Sequence, residues 1–479
     1  MITHEDIKNL VNEWRLREDI IEKDYVIGWL LWGIGSEPDL KDKWIFKGGT
    51  CLKKCYIETY RFSEDLDFTV MPNGPTKPKE LLSIFERVLR RISEEAGIDF
   101  SVMPVKFKQN EKFLYTEGRI YYRGPRNSRN PSSVKLDISA SEKIVRPPVL
   151  RVISHSYPDE LPQPAQVKCY SFEEVFAEKI RAMGERSRPR DLYDIINLFR
   201  HKELQSQPEL IKSVLIEKCK SKNILPITLS IIENSPYIDE LSSEWDNMLG
   251  HQLQTLPPFE QYLKELPNLF NWLEKKSAPA KLASIPFSEI EDNTWSPPPT
   301  ISSWGIGIPL ESVRFAAVNH LCIEIVYKKE DKNIKHYLIE PYSLRRTKDN
   351  NLVLHAIKID TQEDRTFRID RIMKIDITTK SFEPKYQIEF SPTGTINALP
   401  SLRKTNFNFY DNKPVKNQDF FTNTKKHKTN FDPTYIFECS YCGKKFRRKK
   451  HDTKLNSHKD KNGWNCSGKN GYLVDTIYD

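Results

Sequence analysis

The sequence predicts an α/β (α+β) domain with a helical C-terminal part, followed by a small β-rich domain and a short unit that contains Cys and His. Helical and strand-like patterns alternate from residue 1 to about residue 276, which is typical of a mixed α/β domain. Short runs rich in β-branched and aromatic residues follow in residues 310–390 and indicate a small barrel or open sheet. Three Cys and two His residues lie in residues 434–479.

Two segments with little periodicity separate these parts. Residues 277–309 are rich in proline, which is typical of a linker: Pro279, Pro286, Pro297, Pro298, Pro299 and Pro309. Residues 391–433 are polar and rich in Asn and Lys, and we interpret them as a second linker. The predicted division is therefore 1–276, 277–309, 310–390, 391–433 and 434–479.

The composition indicates a cytoplasmic protein. Charged residues make up 29% of the chain, the mean hydropathy is −0.60, and no segment approaches the ~18 consecutive apolar residues of a membrane span. The first ten residues include acidic side chains and no apolar core, unlike a signal peptide. Five of the 8 cysteines are scattered among apolar neighbours, as expected of reduced, buried thiols.

The positive charge is concentrated at the C-terminal end. Residues 401–479 contain 17 Lys+Arg against 8 Asp+Glu, whereas the whole chain has a formal net charge of +8. This excess indicates a polyanionic partner such as RNA or DNA, or else a solvated basic tail.

The strongest functional signal begins at a predicted strand, Trp44–Lys47, that ends at two glycines. The missing side chains of Gly48 and Gly49 let backbone N–H groups approach a phosphate. Thr50 follows at the start of a predicted helix, where N–H groups and the helix dipole favour an anion. These residues therefore predict a phosphate-binding turn.

Asp65 and Asp67 lie two residues apart on the next predicted strand, so their side chains share a face. Two carboxylates so close repel each other unless a cation lies between them. Mg²⁺ (or Mn²⁺), bound also by triphosphate oxygens, is the natural candidate. Asp137 lies on another predicted strand, residues 134–138, and is a third acid that could complete the site.

These residues resemble the polymerase-β-type nucleotidyltransferase superfamily, in which a Gly turn and a helix precede an Asp-x-Asp strand. The AbiEii toxin family is a closer match, because it has KGGT-x-L followed by RFSEDLDF, as do residues 47–52 and 61–68, and residues 22–25 are also similar. The resemblance covers about residues 6–200. It implies a metal-dependent nucleotidyltransferase in which Lys47 and Ser63 also bind nucleotide. A surface acidic turn beside a Gly bend is the simpler alternative.

A second block, residues 172–199, carries more charged candidates. A capping box at Ser171 and Glu174 predicts a helix to about Met183 that contains Lys179. The AEK and RD-x-x-D elements of the AbiEii family resemble this block, which implies active-site roles for Lys179, Asp191 and Asp194. Basic side chains here would neutralise triphosphate charge: Lys179, Arg188 and Arg190. A helix pair with surface charges is the alternative.

Residues 311–384 contain three segments, 325–327, 339–342 and 365–372, that resemble a WYL domain, a β-rich module of bacterial regulators and phage-defence proteins. The namesake tripeptide is replaced by Leu352-Val353-Leu354. The resemblance implies binding of nucleic acid or nucleotide ligands, which makes four residues candidates here: Tyr327, Tyr342, Arg368 and Arg371. The alternative is an inert scaffold whose arginines pair with Asp370 and Glu363.

The C-terminal unit carries a set of metal-ligand residues, namely Cys439, Cys442, His458 and Cys466. Three thiolates and an imidazole suit tetrahedral Zn²⁺, and a unit this small needs such a staple to fold. His451 is a competing ligand, and free thiols with surface histidines are the alternative. Arg447 and Arg448 belong to a basic run that predicts nucleic-acid binding.

These features predict a nucleotidyltransferase that transfers a nucleotide from an NTP to RNA, with the 3′ end of tRNA as one candidate acceptor. The AbiEii resemblance implies a toxin or phage-defence effector, and a separate antitoxin protein. Two rival functions remain open: transfer to a protein hydroxyl, and a nucleic-acid-binding regulator that senses NTP without catalysis.

Overall fold

The computed structural model describes residues 1–57, 61–110, 112, 114–201, 207–276, 282–294, 310–390, 433–439, 442, 444–449, 454–460, 465–466 and 471–478. The chain forms two compact units, Met1–Arg403 and Lys404–Asp479. The first unit contains a mixed α/β region and a second, antiparallel sheet, which confirms the predicted fold class. No helix within the described ranges is long and apolar enough to cross a membrane.

The first sheet has seven strands in the order β3-β4-β5-β2-β1-β7-β6. Its pairs are antiparallel except β2 with β5 and β1 with β7, which are parallel. The strands are β1 (Trp44–Lys47), β2 (Asp65–Val70), β3 (Lys106–Asn110), β4 (Tyr115–Tyr122), β5 (Ser132–Ser139), β6 (Val149–Val152) and β7 (Gln166–Cys169). The antiparallel pair β1 and β2 lies at the middle of the sheet, and each of the two strands has a parallel strand on its other side.

Four helices accompany these strands: α1 (His4–Trp14), α2 (Glu18–Gly35), α3 (Gly48–Cys55) and α4 (Pro78–Ala96). Residues 6–32 have a helical pattern in the sequence, and the structure divides this stretch into two helices at Arg15. Arg15 has the left-handed conformation (φ 53°), and its N–H closes α1 on the carbonyl of Val11. A new helix, α2, starts at Glu18 with two acidic residues in its first turn.

The helical C-terminal part of the first domain follows the sheet. Its helices are α5 (Phe172–Arg186), α6 (Pro189–Arg200), α7 (Pro208–Ser221), α8 (Leu229–Glu233), α9 (Ile238–Ser243), α10 (Trp245–Leu249) and α11 (Phe259–Leu273). Ser171 caps α5 as predicted, since its hydroxyl accepts the N–H of Glu174 at 3.3 Å. Glu174 does not complete a capping box. Its carboxylate instead accepts the backbone N–H groups of Val145 (2.8 Å) and Arg146 (2.7 Å).

The second sheet is antiparallel, with the order β11-β10-β9-β8-β12. One helix, α12 (Leu310–Val318), precedes β8 (Leu321–Lys328), β9 (Ile334–Arg346), β10 (Leu352–Lys358), β11 (Asp364–Arg368) and β12 (Ile372–Ser381). Residues 282–294, within the segment predicted as a linker, contact this sheet. The guanidinium of Arg345 donates to the carbonyl of Ile285 at 2.5 Å and to the carboxylate of Glu291 at 3.1 Å.

The second unit is small and is built from short strands. A three-stranded sheet has the order β14-β13-β17, and β15 pairs with β16. The strands are β13 (Pro433–Cys439), β14 (Lys445–Arg448), β15 (His458–Lys459), β16 (Asn465–Cys466) and β17 (Gly471–Tyr478). Phe437, Cys439 and Leu455 are buried at its centre, which is a very small apolar core.

Candidate functional site

Three carboxylates lie side by side at the middle of the first sheet. Asp67 on β2 is the Cα partner of Asp137 on β5 and, on its other side, of Lys47 on β1. Asp65 lies two residues earlier on β2 and therefore on the same face. We call Asp65, Asp67 and Asp137 the acid row.

The turn after β1 brings backbone against the acid row. Gly48 has a φ of +81°, and a Cβ atom there would lie 2.2 Å from Oδ2 of Asp67. A side chain is excluded twice, by backbone conformation and by this contact. A Cβ atom at Gly49 would lie 3.1 Å from Oγ of Ser63, and the hydroxyl of Thr50 donates to the carbonyl of Asp65. The predicted phosphate-binding turn thus adjoins the predicted metal ligands.

Burial raises the pKa of Asp67 to about 6. The charge of Lys47 only partly offsets the lost hydration, and Asp137 and Asp65 add repulsion. Burial also raises the pKa of Asp65, with a further contribution from Asp137. Burial and mutual repulsion therefore disfavour the ionised forms of Asp65 and Asp67, and a bound cation would offset both effects.

Lys47 forms an ion pair with Glu142, a residue that sequence reasoning missed. Burial by itself lowers the pKa of Lys47, but the carboxylates around it, Glu142 foremost, outweigh this and raise its pKa. Glu142 also accepts the hydroxyl of Thr69 at 3.1 Å and that of Tyr170 at 3.4 Å. Lys47 is thus held charged beside the acid row.

Asp137 is held by two side chains from its neighbourhood. The ammonium of Lys135 lies 2.9 Å from Oδ1 of Asp137, and the hydroxyl of Tyr115 donates to the same oxygen. Lys135 lies two residues before Asp137 on the same face of β5, so the sequence carried a signal for it. Tyr115 lies near Asp137 because β4 pairs with β5, and the sequence around Tyr115 did not indicate this contact.

The charged residues of the second block meet in a buried cluster. Nζ of Lys179 lies 2.6 Å from Oδ2 of Asp194 and 3.5 Å from Oδ1 of Asp191. Both aspartates are 0% exposed. Arg186 makes two hydrogen bonds to Asp191, at 2.7 and 3.0 Å. The two acids on α6 therefore form ion pairs with these basic side chains.

Arg61 connects this cluster to the part of the chain that carries Asp65 and Asp67. Its guanidinium binds Asp194 through two hydrogen bonds, at 2.8 and 2.9 Å, and also donates to Gln252 at 2.9 Å. Burial by itself raises the pKa of Asp194, but Arg61 and Lys179 hold it well below its usual value. Arg61 belongs to the RFSEDLDF motif, which was the signal for it, but it was not predicted as a site residue.

The positive charges of α5 and α6 reach the acid row. Lys179 lowers the pKa of Asp67, and Arg190 lowers that of Asp65, although burial dominates both. Nε of Arg190 also donates to the carbonyl of Met248 at 3.3 Å. Arg188, in contrast, is exposed at the N-cap of α6. The structure thus brings Lys179 and Arg190 near the acids and leaves Arg188 at the surface.

The predicted ligand-binding residues of the second sheet are engaged in local contacts. Arg368 pairs with Asp370 at 2.7 Å, as the scaffold alternative expected, and Arg371 pairs with Glu330 at 2.8 Å. Glu363 instead pairs with Lys358 at 3.0 Å. Tyr327 and Tyr342 are 6% and 0% exposed. Nucleic-acid binding by Arg368 and Arg371 stays a prediction.

The four predicted zinc ligands come together in the second unit. One ligand atom from each of Cys439, Cys442, His458 and Cys466 lies within 4.8 Å of the others. Nδ1 of His458 lies 2.9 Å from the carbonyl of Asn456, so its donation there leaves Nε2 for a metal. The competing His451 lies outside the described residues, as does most of its neighbourhood. Arg447 is exposed on β14, and Arg448 is half-buried beside it.

Two family models match the chain where this geometry lies. Residues 29–265 match the model described as nucleotidyl transferase AbiEii toxin, type IV TA system. Residues 310–377 match the WYL domain model. Residues 29–265 therefore form an AbiEii-type nucleotidyltransferase domain, and a WYL domain follows it. The AbiEii match spans the acid row, the Gly48 turn and the Lys179 cluster.

The solved structures that match this chain include the following two. MenT4, a nucleotidyltransferase toxin from Mycobacterium tuberculosis, is 18% identical with a TM-score of 0.41, over 58% of this chain and 91% of that one. The proteasome accessory factor PafBC of Arthrobacter aurescens is 14% identical with a TM-score of 0.15, over 32% of this chain and 23% of that one. A search of functionally curated proteins gives no match.

Proposed function

We propose that this AbiEii-type enzyme transfers a nucleotide from an NTP to the 3′-hydroxyl of an RNA, and that it acts as a toxin or phage-defence effector. The hydroxyl oxygen attacks the α-phosphorus, the bond from that phosphorus to the bridging oxygen breaks, and pyrophosphate leaves with the electron pair. The observation that carries the proposal is the adjacency of Asp65, Asp67 and Asp137 to the Gly48 turn. We take the 3′ end of tRNA as the first acceptor to test.

The acid row fits a divalent cation, Mg²⁺ or Mn²⁺. Asp65 and Asp67 are partly buried and share a face, and their pKa values are raised because burial removes hydration and Asp137 adds repulsion. Carboxylate oxygens are the ligands that such hard cations prefer. When bound, the cation supplies charge neutralisation and orientation of the triphosphate.

The chain's own residues supply the remaining functions. Backbone N–H groups at Gly48 and Gly49 face the phosphates, and Lys47 offers a fixed positive charge beside them. Lys179 and Arg190 neutralise charge that develops on the leaving pyrophosphate. Asp137 takes the proton of the attacking hydroxyl, and Asp191 and Asp194 hold the basic side chains in position.

The test is transfer of label from NTPs to total RNA, and separately to total protein. Asp65→Asn and Asp67→Asn should reduce transfer roughly 10²- to 10³-fold, the loss typical of one removed electrostatic contact. Asp42→Asn is the matched control, because Asp42 is 60% exposed and pairs with Lys168 outside the acid row. Full activity of either aspartate variant in Mg²⁺ would refute the two-carboxylate mechanism. Label on protein alone would replace the RNA acceptor, and no label on either would favour a regulator that senses NTP.

The toxin role predicts slowed growth of bacteria that express the wild-type chain, relieved by Lys179→Ala. An antitoxin would be the protein that restores growth when it is co-expressed. Equal toxicity of wild type and Lys179→Ala would move the harm away from the nucleotidyltransferase site, first to the basic C-terminal unit.

We further propose that the second unit binds Zn²⁺ through Cys439, Cys442, His458 and Cys466 and contacts nucleic-acid phosphates through Arg447 and Arg448. The gathered ligand atoms and the small apolar core support the metal. Cys439→Ser with Cys442→Ser should remove one zinc per chain. Arg447→Ala with Arg448→Ala should weaken binding of RNA or DNA and flatten its salt dependence. Unchanged zinc content would refute the zinc site, and an unchanged salt dependence would refute the contact of Arg447 and Arg448 with phosphates.

A further inference from the structure

Three cysteines that looked unrelated in the sequence meet inside the nucleotidyltransferase domain. Sγ atoms of Cys51, Cys55 and Cys169 all lie within 4.8 Å of one another. All three residues are 0% exposed. The proposed reaction uses none of them.

The fold explains how the three thiols converge. Cys51 and Cys55 are four residues apart on α3, so they lie on one face of that helix. Cys169 is the last residue of β7 and is the Cα partner of Phe46 on β1. Because α3 follows β1 directly, the end of β7 lies beneath the helix. The cluster thus joins α3 to the sheet.

The spacing suits thiolate ligands of one cation. Zn–S bonds are about 2.3 Å long, so two sulfurs on one zinc are about 4 Å apart. The three sulfurs lie within 4.8 Å of one another, so small side-chain adjustments would bring them to that separation. Packing alone does not require three thiols at one point, because an aliphatic side chain fills such a space without a polarizable, acidic group.

The surroundings offer a fourth ligand and a compensating charge. The hydroxyl oxygen of Tyr56 lies 3.9 Å from Sγ of Cys169 and donates to the carbonyl of Tyr170 at 2.6 Å, which leaves a lone pair on the oxygen. The guanidinium of Arg151 lies 4.7 Å from the centre of the Tyr56 ring. Three thiolates with a divalent cation carry a net charge of −1, which one arginine balances. A monovalent cation would leave −2.

We propose that Cys51, Cys55 and Cys169 bind a thiophilic divalent cation of the Zn²⁺ class. This site is separate from the acid row and from the C-terminal unit. It ties the middle and end of α3 to β7, and the start of the same helix carries Gly48, Gly49 and Thr50. The cation therefore fixes the helix that presents the phosphate-binding turn.

The experiment uses the full chain with Cys439→Ser and Cys442→Ser, which disables the other thiolate site. The protein is purified without oxygen in the presence of Zn²⁺, dialysed, and analysed by plasma mass spectrometry. We expect about one zinc per chain, lost on addition of Cys51→Ser or Cys169→Ser. Cys219→Ser is the control, because Cys219 is equally buried but lies on α7 outside the cluster. Folding of each variant is followed by circular dichroism.

A second measurement needs no substitution within the cluster. Replacement of zinc by Co²⁺ in the same background should give a thiolate-to-metal charge-transfer band. Absence of both zinc and this band in folded protein would overturn the proposal. Zinc that persists in folded Cys51→Ser or Cys169→Ser protein would also overturn it, and copper in place of zinc would overturn the divalent assignment. None of these outcomes depends on nucleotide transfer, so the inference fails or stands separately from the proposed reaction.

Discussion

Asp67 is the carboxylate on which the proposed site depends most, because it faces the Gly48 turn, Lys47 and Asp137 at once. Its pKa of about 6 means that, without a cation, the folded protein holds a proton there at pH values where an ordinary aspartate is ionised. A divalent cation that binds there would have to displace that proton. The proposed metal binding at the acid row would therefore be coupled to pH through this residue.

We predict that the affinity of the wild-type protein for Mg²⁺ rises as the pH rises from about 4 through 6 and then levels off. In the absence of Mg²⁺ the sign is opposite for stability: the folded state binds more protons than the unfolded state in this window, so the free energy of unfolding falls as the pH rises. Denaturant unfolding at several pH values, with and without Mg²⁺, measures both effects. Asp67→Asn should flatten both, and a wild-type Mg²⁺ affinity independent of pH would show that Asp67 is not a ligand.

At the scale of elements, the junction of β1 and α3 is the part of the fold that local conformation constrains most. Gly48 needs a left-handed backbone and has no room for a Cβ atom beside Asp67. Gly97, which closes α4, also has a left-handed φ (+71°), but the nearest atom to its Cβ position is 3.8 Å away. A comparison of substitutions at the two glycines therefore distinguishes the cost of a left-handed backbone from the cost of the steric contact with Asp67.

We predict that Gly97→Ala lowers the free energy of unfolding by about 1–2 kcal/mol, the strain of one left-handed residue, and keeps nucleotide transfer. Gly48→Ala should cost more than this and should abolish transfer, because the added methyl group displaces Asp67. Chemical denaturation and the transfer assay test the pair. Equal effects of the two substitutions on transfer would mean that the Gly48 turn does not position the acid row.

Helix α6 supplies a second pair of comparable residues, Asp191 and Asp194. The partners of Asp194 are nearly inaccessible, since the side chains of Arg61 and Lys179 are 3% and 9% exposed. Arg186, the bidentate partner of Asp191, is 50% exposed and can be hydrated when its partner is lost. We predict that Asp194→Asn lowers the free energy of unfolding by about 3–5 kcal/mol, as loss of one member of a buried pair does. Asp191→Asn should cost clearly less, and the reverse order in denaturant titrations would contradict this account.

At the scale of the whole molecule, sequence patterns predicted the features that are set by residues close together in the chain. The Gly48 turn, the Asp65–Asp67 pair and the thiolate spacing of Cys439 and Cys442 are all local. Strand and helix types followed from periodicity, and the predicted fold class was confirmed. Local rules fail where a distant group competes: Glu174 had the capping-box position, but the N–H groups of Val145 and Arg146 take its carboxylate.

Contacts made through the chain's long-range topology could not be predicted in the same way. Arg61 and Asp194 are 133 residues apart in the sequence, and Glu142 reaches Lys47 across 95 residues. The cysteines at 51, 55 and 169 looked scattered because the β1–β7 pairing that gathers them has no local sequence signal. The sequence therefore indicated the acids but not the side chains that hold their basic partners in place.

The WYL domain is joined to the nucleotidyltransferase through a buried polar contact. Oδ1 of Asn319, just after α12, accepts the hydroxyls of Tyr193 and Tyr262, each at 2.9 Å. Tyr193 lies on α6 between Asp191 and Asp194. Lys264 and Glu383 also join the two regions, at 2.5 Å, but are 75% and 86% exposed. The junction thus includes buried hydrogen bonds at Asn319 and an exposed ion pair at Lys264.

We predict that Asn319→Leu lowers the free energy of unfolding by about 2–4 kcal/mol, because two buried hydroxyls lose their acceptor and each unmet group costs about 1–2 kcal/mol. Lys264→Ala is the control at the same junction, and its effect should be below about 1 kcal/mol, since exposed ion pairs contribute little. Because Tyr193 shares α6 with the two aspartates that hold Lys179, Asn319→Leu should also reduce nucleotide transfer, whereas Lys264→Ala should not. Denaturant titration and the transfer assay measure both properties. A destabilised Asn319→Leu protein with wild-type transfer, assayed where it is fully folded, would show that the WYL domain is attached to the enzyme but not coupled to its active site.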